Sequence, residues 1–140
     1  MSGKAFVDTN VLVYAHDQQG GEKTVSAQAL LAQLWHENRG VLSTQVLQEF
    51  CVNALRKFRQ PMSTEQVREV ILAYRKWRTI VNSAESILRA LEIKERYQLS
   101  FWDSMIVQAA ESAGCEILYS EDLSHGQEYE GVLVVNPFKE

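Results

Sequence analysis

The sequence predicts an α/β domain: a short parallel β-sheet of about five strands, flanked by helices on both faces. Short apolar runs recur along the chain. Segments with apolar residues at helical spacing separate them, and capping or stop residues stand at the joints. Ala5-Phe6-Val7 reads as the first strand and Asn10 to about Ala15 as a short helix, with Gly20-Gly21 closing the loop after it. Ala27, Leu30, Leu31, Leu34 and Trp35 form the next helical stripe, and Gly40 follows as its stop. Val41-Leu42 is a brief second strand. Ser43 or Thr44 caps a helix whose apolar face is Val46, Leu47, Phe50, Ala54, Leu55 and Phe58. Pro61 ends that unit. Ser63 with Gln66 has the spacing of a capping box for a helix to about Lys76. Thr79-Ile80-Val81 is a weak third strand. Asn82 or Ser83 starts a helix carrying Ile87, Leu88 and Leu91. Ser100 caps another, with Met105, Ile106, Ala109, Ala110 and Ala113 inward and Gly114 as stop. Ile117-Leu118-Tyr119 and Val132 to Val135 are the last two strands.

The bulk numbers narrow the class. The 140 residues fit one domain, 1–140, with one core. Apolar residues make up 46% and charged residues 23%, an ordinary globular balance. The net charge of −4 argues against a surface that binds nucleic acid everywhere by charge, though not against local basic patches. No signal peptide and no bilayer-spanning run is evident, so a cytoplasmic protein with no membrane role is expected. Cys51 and Cys115 stand far apart and read as reduced, partly buried thiols.

Four acids carry the chemistry. Asp8 follows the first strand directly, outside the carboxyl end where open parallel sheets place their sites. A helix N-cap is its plain alternative, although Thr9 or Asn10 could cap equally well. Glu49 falls on the shoulder of its helix's apolar stripe, beside Val46 and Asn53. Asp103 matches the acid of a capping box in Ser100-Phe101-Trp102-Asp103, the stronger reading for that residue alone. Asp122 mirrors Asp8 after another strand, in Ser120-Glu121-Asp122-Leu123, where an ordinary turn acid is the alternative. Like charges drawn to one edge raise one another's pKa unless a cation neutralises them, and an all-oxygen set suits Mg²⁺ or Mn²⁺.

Taken together, Asp8-Thr9-Asn10-Val11-Leu12, Gln48-Glu49-Phe50, Phe101-Trp102-Asp103-Ser104 and Ser120-Glu121-Asp122-Leu123 resemble the acidic motifs of PIN-domain ribonucleases. More narrowly they resemble the VapC-type toxins of type II toxin–antitoxin systems, over nearly the whole chain. The resemblance implies a PIN-like fold, a Mg²⁺- or Mn²⁺-dependent endoribonuclease, a homodimer, and a cognate antitoxin that lays a peptide across the site. It assigns the catalytic role to Asp8, Glu49, Asp103 and Asp122, with the metal held by Asp8, Asp103 and Asp122. Thr9, Asn10 and Ser120 inherit supporting hydrogen bonds. A further acid that some members carry after the last motif has no counterpart in Leu123-Ser124-His125-Gly126-Gln127. Two other readings compete. A haloacid-dehalogenase-like phosphatase also begins with a strand-end Asp, but needs a second Asp where this chain has Asn10. A non-catalytic PIN-like module would bind RNA or protein without needing all four acids.

Two basic clusters enclose aromatics. Arg56, Lys57 and Arg59 around Phe58 are candidate RNA contacts, balanced against the preference of cations for helix C-termini. Arg75-Lys76-Trp77-Arg78 reads as a helix end, with Trp77 in the core. His125 is expected to be a solvated loop residue. Tyr14, Tyr74, Tyr97 and Tyr119 read as packing.

Overall fold

The computed structural model describes residues 3–18 and 20–139. Six strands form one sheet: β1 (Ala5–Val7), β2 (Gly40–Ser43), β3 (Arg78–Ile80), β4 (Ile117–Tyr119), β5 (Glu128–Tyr129) and β6 (Val132–Val135). Their order is β3-β2-β1-β4-β6-β5, parallel throughout except for the β5–β6 pair. The expectation of five strands is corrected by β5. Its two residues are too short to show an alternating pattern, and it closes one edge as an antiparallel hairpin through Gly131 at φ 82°.

Six α-helices connect the strands: α1 (Thr9–His16), α2 (Glu22–Glu37), α3 (Thr44–Val52), α4 (Thr64–Tyr74), α5 (Ala84–Tyr97) and α6 (Phe101–Ser112). Ser43, Ser63, Ser83 and Ser100 each cap a helix by accepting a backbone N–H, and Ser63 with Gln66 completes the capping box. α2 stops earlier than Gly40. Asn38 adopts the left-handed conformation, φ 55°, and its N–H bonds back to Leu34 and Trp35. Gly40 lies instead in β2, where a Cβ would stand 2.3 Å from ring carbons of the buried Trp77. The helix expected through Phe58 ends at Val52 and widens into a π-helical turn, Asn53–Lys57.

Phe6, Leu12, Leu42, Phe50, Ile106 and Leu118 are fully buried, joining the sheet to α1, α3 and α6. Ile87, Leu88 and Leu91 are 43%, 62% and 46% exposed, whereas Ala90 and Ile93 face inward. The apolar stripe expected on α5 therefore lies on the outside.

The topology places the site. The chain steps from β1 to β2 to β3 in one direction, then returns to lay β4 on the other side of β1. Between β1 and β4 the connections leave in opposite directions, which opens a crevice at the carboxyl ends of the two strands. Val7 pairs with Tyr119 there, and Asp8 N–H donates to Tyr119 O at 2.9 Å.

Candidate metal-dependent active site

Asp8 leaves β1 into that crevice and is 5% exposed. Its Oδ1 accepts the Thr9 N–H at 2.7 Å, so it is the N-cap of α1. Its Oδ2 accepts the Ser120 hydroxyl at 2.7 Å and the Asn10 amide at 3.4 Å. Each oxygen does a different job, so capping leaves Asp8 Oδ2 to face Ser120 and Asn10. The Asn10 Nδ2 also donates to Asp122 Oδ2 at 3.1 Å, so one amide joins the two strand-end acids. Asn10 Oδ1 accepts the Glu121 N–H at 3.2 Å, and Ser120 Oγ accepts the N–H groups of Asp122 and Leu123. Thr9, Asn10 and Ser120 thus stitch the turn after β4 to the start of α1.

Glu49 reaches in from α3, and its Oε1 accepts the Thr9 hydroxyl at 2.6 Å. The cap of α6 is made by Ser100, whose hydroxyl accepts the Asp103 N–H at 3.1 Å. Burial, the largest effect, pushes the Asp103 carboxyl above its ordinary range. A hydrogen bond from Ser100 opposes this, and the charges of Asp122 and Glu49 add to it. Burial pushes Asp8 up to about 7. Ser120 and Thr9 hold it down, and Asp122 and Glu49 raise it further. Asp122 and Glu49 therefore act on both Asp8 and Asp103.

A cleft of ≈ 690 Å³ opens above them, lined by Thr9, Asn10, Glu49 and Asp122 together with Gln45, Asn53, Lys57 and Trp102. Asp8 and Asp103 are not among its lining residues. Among the described residues, no three His, Cys, Asp or Glu side chains stand at metal-holding spacing. The donor set still suits a hard divalent cation, because Mg²⁺ keeps several waters and needs only one or two direct carboxylates. Asp8 and Asp122, linked through Asn10, offer such a pair, and the charge of Asp122 also reaches Asp103.

Other predicted residues divide. Lys57 lines the cleft, whereas Arg56 and Arg59 are exposed outside its lining. His125 Nδ1 accepts the Asn136 N–H at 2.9 Å, which ties its loop to the C-terminal segment. Tyr14 is more than packing: it lines the cleft and donates to Glu121 Oε1 at 2.9 Å, and Lys23 pairs with the same carboxylate. Gln45 went unnoticed in the sequence, although its place four residues before Glu49 sets both on one helix face.

The PIN domain family model matches residues 5–126, and the chain belongs to that family. Among solved structures, a toxin–antitoxin complex from Klebsiella pneumoniae aligns at 21% identity with TM-score 0.72, covering 98% of this chain and 100% of that one. VapC20 of Mycobacterium tuberculosis, described as a sarcin–ricin-loop-cleaving toxin, aligns at 20% identity with TM-score 0.64, covering 85% and 90%. VapBC2 of Rickettsia felis bound to a promoter DNA fragment aligns at 18% identity with TM-score 0.65, covering 93% and 96%. Among curated proteins none matches. No helix among the described residues is long and apolar enough to cross a membrane.

Proposed function

We propose that the chain is a Mg²⁺- or Mn²⁺-dependent endoribonuclease and the toxin of a toxin–antitoxin pair. The observation that carries this reading is the joined turn at the switch point. There Ser120 and Asn10 lock Asp8 and Asp122 side by side, within the field of Glu49 and Asp103. Asp8 and Asp122 would hold the ion directly, with Asp103 adding its charge nearby; when bound, the ion supplies Lewis acidity and orients a phosphate. Glu49, at the wall of the cleft, takes one proton of a water whose oxygen attacks the phosphorus; the P–O bond breaks, its electron pair leaves with the ribose oxygen, and that oxygen takes a proton from solvent. Lys57 sits where it can hold a neighbouring phosphate.

An antitoxin is the partner that fits the same cleft. Its acids attract a guanidinium, while Trp102 and Val52, 60% and 51% exposed, offer apolar surface to a peptide. The structural neighbour from Klebsiella pneumoniae is a toxin–antitoxin complex, which supports that partner class.

Cleavage of a mixed RNA substrate by the purified protein, with Mn²⁺ or with chelator, tests the reading. Cleavage should need the ion and should vanish in Asp103→Asn, which also controls for contaminating nuclease. Glu49→Gln should lose roughly 10²–10⁴-fold in rate, the usual worth of a positioned base, and should keep most of its Mn²⁺ affinity. Full cleavage by Asp103→Asn, or by the unaltered protein in chelator, would sink the proposal.

A further inference from the structure

Gln45 is 4% exposed, yet it lines the cleft. Its Nε2 donates to Glu49 Oε2 at 3.3 Å and to the Trp102 carbonyl at 3.4 Å. One amide group therefore ties the acid of α3 to the first turn of α6, next to Asp103. With Thr9 on Oε1 and Gln45 on Oε2, both oxygens of Glu49 are held by the protein. The orientation of the amide follows from chemistry. Turned over, it would set an oxygen against a carboxylate and a carbonyl, neither of which can donate. As it stands, Gln45 Oε1 is buried with no hydrogen-bond partner among the described residues. A buried acceptor left so carries a desolvation cost that an apolar side chain of equal length would not. That cost offsets the two long hydrogen bonds of Nε2, so methionine at this place should be about as stable.

We infer that Gln45 is a positioning residue for the reaction: braced on the Trp102 carbonyl, it fixes the direction of Glu49. This rests on the nuclease reading of the site. The alternative is that Gln45 merely fills space between α3 and α6. Packing and positioning make opposite predictions for two near-isosteric replacements. Gln45→Met removes both the donor and the orphan acceptor. Gln45→Glu keeps the shape but places an oxygen against Glu49.

In the positioning role, Gln45→Met lowers kcat by about 10–100-fold, the usual cost of losing a residue that orients a site ligand. KM changes little, and the melting temperature in chelator is equal to or above that of the unaltered protein. Gln45→Glu loses more activity than Gln45→Met. In the Glu49→Gln background, Gln45→Met costs little further, because both act through one group. Normal kcat in Gln45→Met, normal activity in Gln45→Glu, or additive losses in the double variant each overturn the inference.

The side-chain amide signals of Gln45, followed by NMR, separate this claim from the nuclease reading. They should move in Glu49→Gln. A protein that cleaves no RNA but shows that movement loses the nuclease reading, while the hydrogen bond stands. A protein that cleaves RNA but whose Gln45 signals ignore Glu49→Gln loses the positioning claim alone.

Discussion

Asp8 caps a helix with one oxygen and accepts Ser120 and Asn10 with the other, from a place with almost no solvent. Its charge is therefore costly to the metal-free protein. The carboxyl ionises near 3.8 in the unfolded chain and near about 7 in the folded one. Below the lower value both states hold the proton, and folding costs nothing extra. Between the two, only the folded state keeps it, so stability falls as pH rises, by roughly 4 kcal/mol in all by the time pH passes 7. Asp8→Asn keeps the capping oxygen and removes the charge. In chelator, thermal melts from pH 4 to 8 should show the unaltered protein losing more stability than Asp8→Asn. Mn²⁺ should restore the unaltered protein at the upper end and do little for the variant. Parallel melting curves for the two across this range would mean that Asp8 ionises without penalty.

The π-helical turn Asn53–Lys57 shows what an element can add to a site. It continues α3 with a wider winding, and within it Lys57 lines the acidic cleft while Arg56 does not. Of Arg56, Lys57 and Arg59, only Lys57 lines the cleft, which makes it our proposed phosphate contact. Lys57→Ala should weaken binding of single-stranded RNA across sequences and lower the slope of log affinity against log salt by about 0.7. Arg59→Ala, outside the cleft lining, should leave the slope unchanged. Equal changes in both would mean diffuse attraction in place of a positioned contact. Such a widened turn is hard to read in a sequence, because apolar residues at 54, 55 and 58 suit an ordinary helix equally well. The serine caps, the strand cores and the strand-end acids were legible, since each depends on local chemistry or on a short period. Gln45 was not, because its meaning comes from Glu49 and from Trp102 57 positions away. The stop at Asn38 was hidden by Gly40, whose real constraint is the ring of Trp77.

At the scale of the whole molecule, exposed apolar side chains among the described residues include Val25, Trp35, Leu55 and Leu133, and two further groups bear on partners. One is the mouth of the cleft, at Val52 and Trp102; the other is the outer side of α5. On α5, Ile87, Leu88 and Leu91 are neighbours at helical spacing, and Val81, 72% exposed, precedes the same helix. A helix with two apolar sides has one more than its own domain can cover, since Ala90 and Ile93 already face the core. The sequence resemblance implies a homodimer, and a second copy covering this face would bury it; none of Val81, Ile87, Leu88 and Leu91 lines the cleft. Light scattering behind size exclusion should therefore give a dimer at micromolar concentration. Leu88→Glu should shift it to monomer with its melt in the monomeric range still cooperative, because Leu88 is 62% exposed and supports no core contact that a carboxylate would break. A Val52→Glu control, at the other apolar surface, should stay dimeric. A Leu88→Glu protein that remains dimeric while Val52→Glu dissociates would move the subunit contact to the mouth of the cleft. Each copy would then obstruct its partner's acids.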